Sequence, residues 1–489
     1  MKNRKNKKIN LYFKIISALL IISVLLSSVL LIYFEILPIF YLSLFIIIIG
    51  LIVSGLLKLM NSKKIRKWLR LFSSIISIFL IILFTMICFY AFGTIDFFSS
   101  IFDAGIRHDS YSVYVLDNNL KKISNLENKL IGISDLNEDA TKKAIDKVSK
   151  KIEYSMAEYD NLSFSLDALF NNDVDAILAL DSSVEILKEE NEEYKKLKQV
   201  YTFTVTTKVE TLSSDIDISK ENFVFYISGI DTNGKVGAKA RSDVNILVAV
   251  NPKKHKILLL NTPRDYYVKL STKNAYDKLT HAGVYGIEES VKTLGDFYGM
   301  DVPYYARVNF TTFINIVEKL GGITVDVPVD FCEQTSIRNS TKKICLKKGR
   351  QTLNGEQALA LSRTRYSIAG GDRGRIENQM LVLEAIIDKM LSPDIIIKYN
   401  GLLGSISDSI ITNIDQKSVT KLIKKQIRDG EGWTIESFSV NGSDGSSSTY
   451  STGSFKVYVM MPDEKTVLEA KKKLDNILET NKYNSEKSE

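Results

Sequence analysis

Seven prolines in 489 residues exclude a collagen-like or wholly disordered chain, and a composition of 45% hydrophobic and 25% charged residues is that of a folded protein. Histidine and cysteine are also scarce, at three each, and no Cys-x-x-Cys unit occurs. His108, His255 and His281 are not placed to complete a zinc site, so structural zinc is a poor reading. There is no Gly-x-Ser-x-Gly elbow and no P-loop, which leaves serine- or cysteine-nucleophile chemistry and P-loop phosphate binding unsupported. His281, in Lys278-Leu279-Thr280-His281-Ala282, lacks a nucleophile partner and reads as a hydrogen-bonded structural histidine; Lys278 reads as a surface lysine. The length suits two or three domains of roughly 150 residues each.

Acid is nearly missing from the first 70 residues, which carry twelve Lys or Arg and only Glu35, and residues 71–92 carry no charge. The formal net charge is +7; removing the +11 of that segment leaves −4 for residues 93–489. A basic balance ordinarily suggests a nucleic-acid partner through counterion release. Here the cations sit beside apolar runs and the large remainder is mildly acidic, so no nucleic-acid partner is expected.

Those runs, Leu11 to Tyr33, Ile36 to Leu57 and Leu69 to Gly93, are each near the roughly 20 residues that span a bilayer. Three long runs are not a signal peptide. Cations flank the first run on its N-terminal side and fill the segment Lys58 to Arg70, whereas the loop around Glu35 has none. The positive-inside bias therefore predicts a cytoplasmic N-terminus and an extracellular portion after Gly93. In such a compartment Cys332 and Cys345, thirteen positions apart, could close a small disulfide.

The sequence is read as a tail (1–10), three transmembrane helices (11–93), a small α/β domain (109–210), a polar linker (211–220), a second domain (221–391), its continuation (392–480) and a frayed end (481–489). In the small domain, short β-rich runs alternate with amphipathic helices, and its acids and lysines read as a solvated face. Ser- and Gly-rich Asn441 to Ser454 reads as a surface loop.

Chemistry concentrates between residues 222 and 379. A strand ending in Gly229-Ile230-Asp231, one following Arg241-Ser242-Asp243 and one leading to Pro263-Arg264-Asp265 would, as an antiparallel meander, bring Asp231, Arg241, Asp243 and Arg264 to one edge. Converging carboxylates suit Mg²⁺ or Mn²⁺, and arginines supply planar donors for phosphate. Salt bridges pinning strand ends are the alternative. Arg363 and Arg365 alternate on a strand-like run, while Arg375 and Gln379 share a face at a helix start, where free N–H groups favour an anion. Together these residues suggest a diphosphate site.

These motifs, with Arg307-Val308-Asn309-Phe310, Leu320-Gly321-Gly322-Ile323, Leu353-Asn354-Gly355-Glu356-Gln357-Ala358-Leu359 and Asp372-Arg373-Gly374-Arg375, resemble the LytR-CpsA-Psr (LCP) family, in the expected order over residues 221–391. The three spans and preceding α/β segment are similar to capsule-type members with an accessory domain. The resemblance implies an α/β (α+β) fold: a small α/β accessory domain, then a central mixed sheet flanked by helices. It also implies a plasma-membrane phosphotransferase in a Gram-positive-type envelope, moving a capsule, teichoic acid or similar glycopolymer from undecaprenyl diphosphate to peptidoglycan. By that resemblance Asp231 and Asp243 hold Mg²⁺ or Mn²⁺, and Arg241, Arg264, Arg363, Arg365, Arg375 and Gln379 meet the diphosphate. Arg264 is catalytic, with Asp265 or Asp372 accepting the proton of the attacking hydroxyl, and capsule or wall synthesis proteins are expected partners. Helices over Val284 to Phe297 and Phe310 to Leu320 would enclose the prenyl tail. Arg375-Ile376-Glu377-Asn378-Gln379 departs from the family's usual Arg-Gln pair. A prenyl diphosphate hydrolase and a membrane-bound regulator of envelope synthesis are the alternatives.

Overall fold

The structure, a computed structural model, describes residues 2–480 apart from 34–38, 63, 102–105, 117–118, 209–215, 231–238, 336–341, 365–371, 393–409, 415–417, 419–420, 423–424 and 427–428. Two units are distinguished, Met1–Ser99 and Ser100–Glu489. In the first, the long apolar runs satisfy their backbone internally within α1 (Lys2–Tyr33), α2 (Ile39–Asn61) and α3 (Lys67–Ile101). Segments Leu11–Ile32, Leu42–Asn61 and Lys67–Phe89 are long and apolar enough to cross a membrane. Large apolar side chains such as Leu25, Leu51 and Phe79 face outward while Ser17, Ser27 and Ser77 are buried, the reverse of a soluble bundle. Ser17 Oγ donates to the Phe13 carbonyl at 2.8 Å and accepts from Asn61 Nδ2 at 2.9 Å, so a partly buried polar pair joins α1 to α2.

The second unit begins with β1 (Ile106–Val115), β2 (Leu130–Ser134), α4 (Asp139–Ser149), β3 (Ser155–Tyr159), α5 (Leu162–Phe170), β4 (Ala176–Leu180), α6 (Asp181–Glu190) and β5 (Lys198–Lys208). Their sheet has the order β3-β2-β4-β1-β5, parallel at β3-β2-β4 and antiparallel around β1. Side chains alternate between two cores: Val113, Ile131 and Leu178 meet Ala144 and Val148 of α4, whereas Tyr114 and Ile177 meet Leu166 of α5 and Leu187 of α6. The polar strand β3 is not apparent from its sequence. Glu192–Lys196 forms a separate 3₁₀ turn after α6.

A second sheet is built on the meander β6 (Phe223–Ile230), β7 (Val244–Asn251) and β8 (Lys256–Asn261). There follow β9 (Tyr267–Lys269), β10 (Tyr276–Lys278), α7 (Leu279–Ala282), α8 (Ile287–Tyr298), β11 (Tyr304–Asn309) and α9 (Phe310–Leu320). Next come β12 (Ile323–Val327), β13 (Phe331–Gln334), β14 (Lys343–Leu346), β15 (Gly349–Leu353), α10 (Gly355–Arg363) and α11 (Asp372–Leu391). The last are β16 (Ile410–Thr412), β17 (Thr434–Ser439), β18 (Gly442–Ser448), β19 (Lys456–Pro462) and α12 (Glu464–Leu478). The six-stranded order is β16-β11-β6-β7-β8-β17, with β11 parallel to β6 and β17 parallel to β8. Strand β17 thus adds C-terminal sequence to the same sheet.

Both faces are covered, which accounts for the nearly continuous apolar strands. Leu247, Ala249 and Leu260 pack with Leu294 of α8 and Leu474 of α12; Val248, Val250 and Leu259 lie opposite with Met380 of α11. Cys332 and Cys345 are directly opposed in the β13–β14 hairpin and joined by a disulfide.

Two local readings are corrected. The Asn441 to Ser454 segment contains strand β18, paired with β19 from Gly442↔Pro462 to Ser448↔Lys456, because an exposed strand needs few apolar side chains. Arg363 ends a helix rather than lying on a strand-like run. Asn354 accepts from the Gln357 N–H at 2.9 Å and the Gln357 side chain accepts from the Asn354 N–H at 3.0 Å; this capping box starts α10 and Ala- and Leu-rich sequence carries it on.

Candidate functional site

The meander determines what meets at its edge. Gly229 pairs with Val244, Ile246 with Asn261, and the Asp243 N–H donates to the Gly229 carbonyl at 2.8 Å, so the segments just before β7 and just after β8 adjoin. There Arg264 Nη1 donates to Asp243 Oδ1 at 2.8 Å, and Arg264 Nε reaches Asp265 Oδ2 at 3.4 Å. Thr280 Oγ1 donates to the same Asp243 oxygen at 3.3 Å. The backbone stitches the segments together: Ser242 N–H donates to the Thr280 carbonyl at 3.0 Å and Thr280 N–H to the Arg264 carbonyl at 2.8 Å. Gly283 closes the corner, where an added Cβ would lie 2.5 Å from the Ala240 carbonyl oxygen.

Lys278 corrects its surface reading. Its side chain is 6% exposed, bound to Glu190 Oε1 at 2.5 Å and 4.0 Å from Asp265 Oδ1. Arg241 pairs with Glu189. Burial pulls its guanidinium pKa down, but Glu189 and Asp243 outweigh that and raise it, with Arg264 opposing them. Both glutamates end α6, in the segment whose charges read as a solvated face. The available signal was two adjacent acids in the last turn of a helix, where the dipole disfavours them.

His281 is structural as expected. It is buried and its Nδ1 is 2.7 Å from Asp277 Oδ1, while Ser451 donates to Asp277 Oδ2 through its N–H at 2.9 Å and its hydroxyl at 2.5 Å. Burial pushes the Asp277 carboxyl up, but His281 and these donors hold it below its ordinary value.

The second cluster reaches the edge through β11. Asn309 pairs with Ile230, so Phe310 starts α9 where β6 ends, and the Arg363 guanidinium lies 5.0 Å from the Phe310 ring centroid. Gln379 Nε2 donates to the Ser362 carbonyl at 3.3 Å, linking α11 to the end of α10; Arg375, one turn before it, is buried. Of the apolar helices, α8 commits Ile287, Val291 and Leu294 to the core, whereas Phe313, Ile314 and Ile316 of α9 are half-buried. Asp231, Arg365 and the Asp372 side chain lie outside the described residues.

Of Asp231 and Asp243 only Asp243 is among the described residues, and Asp265 is the neighbouring carboxylate across Arg264. Asp243 Oδ1 is engaged by Arg264 and Thr280, leaving Oδ2 for a hard cation, while no group of three or more His, Cys, Asp or Glu suited to a metal occurs among the described residues. The donor chemistry fits Mg²⁺ or Mn²⁺ shared with phosphate oxygens, which need few protein ligands.

Residues 179–476 match the LytR_cpsA_psr family. The chain belongs to the LytR-CpsA-Psr family. Among its relatives are polyisoprenyl-teichoic acid–peptidoglycan teichoic acid transferases of Bacillus subtilis. TagV is 35% identical over 242 residues, covering 48% of this chain and 61% of the relative. TagT is 37% identical over 212 residues, covering 42% and 65%. This LCP chain thus spans just under two thirds of the length of these relatives. The crystal structure of B. subtilis TagV aligns at 33% identity with a TM-score of 0.45, covering 53% of this chain and 98% of that one.

Proposed function

We propose that this LCP protein is a membrane-anchored phosphotransferase that moves a glycopolymer from undecaprenyl diphosphate to peptidoglycan. The carrying observation is the Asp243–Arg264 pair at the meander edge, flanked by Arg241, Asp265 and Lys278, in a family whose named relatives include teichoic acid transferases. The three membrane-length helices anchor it, and their flanking charges support a cytoplasmic N-terminus with the site outside the cell, in a Gram-positive-type envelope.

Phosphoryl transfer requires positioning and charge neutralisation more than covalent chemistry. Arg264, Arg241, Arg363, Arg365 and Arg375 bind diphosphate oxygens, and Gln379 braces Arg363 through the end of α10. The acceptor hydroxyl, the C6 hydroxyl of muramic acid, forms a bond to the phosphorus bearing the polymer. The bond from that phosphorus to the bridging oxygen breaks, undecaprenyl phosphate departs, and Asp265 or Asp372 takes the hydroxyl proton. Mg²⁺ or Mn²⁺ held by Asp231 and Asp243 would neutralise charge on the diphosphate. The half-buried apolar face of α9 is suited to the prenyl tail.

The cellular test compares wall-attached polymer in wild type, Arg264→Ala and Asp231→Ala at equal protein level. Loss of attachment in both variants is expected; wild-type attachment in both would overturn the proposal.

A further inference from the structure

The acids that end α6 break a local rule. Carboxylates in the last turn of a helix oppose its dipole, so something outside the helix must favour them. The structure supplies Arg241, from the loop before β7, and Lys278, from the end of β10. Helix α6 is held firmly: Asp181 at its start accepts from Ser110 Oγ at 2.6 Å and Tyr114 Oη at 2.9 Å, and Val184, Ile186 and Leu187 are buried.

The two pairs differ in their access to water. Glu190 and Lys278 are 23% and 6% exposed, a pairing closed enough to be permanent. Glu189 is 55% exposed and Arg241 26%, so water and solutes compete there and the contact is weak. Arg241 stands two residues before Asp243, the partner of Arg264, and the intervening Ser242 N–H is tied to the Thr280 carbonyl at 3.0 Å, which places Glu189 at the rim of the proposed diphosphate site.

We propose that Glu189 is an internal competitor for substrate: its carboxylate occupies Arg241 in the free protein and yields that cation to a phosphate oxygen when the lipid diphosphate binds. Glu190, one residue on, stays with Lys278 and fixes α6 while Glu189 swings out. The first α/β layer thereby tunes anion affinity at a site on the second. This inference rests on the phosphotransferase reading of that site.

The test uses the full chain in nanodiscs with Mg²⁺ and geranyl diphosphate as the probe, titrated calorimetrically. Removing an exposed competing pair is expected to tighten binding about two- to fivefold in Glu189→Gln. Glu192→Gln removes the same charge from the following turn without the contact and is expected to match wild type. In an Arg241→Ala background, Glu189→Gln is expected to add nothing. Equal binding by wild type and Glu189→Gln, or a gain that persists without Arg241, overturns the gate. Geranyl diphosphate binding that is absent, or unchanged in Arg264→Ala, removes the site reading and the gate with it. Binding that depends on Arg264 but not on Glu189 removes the gate alone.

Discussion

Glu138 carries an expectation that follows closely from geometry. It precedes α4 and accepts from Lys239 Nζ at 2.6 Å and Lys273 Nζ at 3.3 Å, joining the first α/β layer to two segments of the second. The Lys239 side chain is 2% exposed, so Glu138→Gln leaves an ammonium buried without its carboxylate. Breaking a fully buried pair costs roughly 3–5 kcal/mol. Glu138 itself is 27% exposed and water can partly replace it, which reduces the expected loss to about 2–3 kcal/mol. At about 2 °C per kcal/mol for a unit of this size, the melting temperature should fall by about 4–6 °C. Burial raises the Glu138 carboxyl, but Lys239 and then Lys273 outweigh it and hold the pKa below its ordinary value of 4.5. A depressed pKa contributes stability that is present above the unfolded value and lost as pH falls through the folded one. The gap between wild type and variant should therefore be full at pH 7 and shrink below the ordinary glutamate range. Thermal melts of the full chain across pH measure both effects, and Lys239→Met in the variant should recover part of the loss. A variant that melts with wild type at pH 7, or a gap unchanged at pH 3, would refute the reasoning.

Two further outcomes test the architecture. Gly283→Ala places a Cβ 2.5 Å from the Ala240 carbonyl oxygen and 2.8 Å from Ser242 Oγ, displacing the backbone that presents Arg241 and Asp243; transfer activity should fall at least about tenfold while the melt moves by only about 1–3 kcal/mol, measured by paired kinetics and calorimetry. Cys332→Ser opens a disulfide closing a 13-residue separation, worth about 3 kcal/mol in the loop-entropy account; hydrogen exchange should accelerate in β13 and β14 but not in β6–β8.

The membrane helices were legible because nothing but an apolar environment accommodates such runs, and the meander because its three strands and their turns are local. The Asp243–Arg264 pair followed from that meander alone. Arg363 was misplaced because alternating arginines imitate a strand, while the Asn354–Gln357 capping box that decides for helix lies outside that run. Lys278 and Arg241 depend on partners 88 and 52 residues earlier, at the end of helix α6, and no local pattern reports such a meeting. The same distance effect turned a helix end that looked solvated into part of the candidate site.

Purified full chain incubated with a lipid-linked glycopolymer, a peptidoglycan fragment and Mg²⁺ addresses the central claim. The expected result is an adduct of polymer and peptidoglycan formed in equal amount with released undecaprenyl phosphate, reduced about a hundredfold or more in Arg264→Ala. Prenyl phosphate released without adduct, or adduct formed at the wild-type rate by Arg264→Ala, would contradict it.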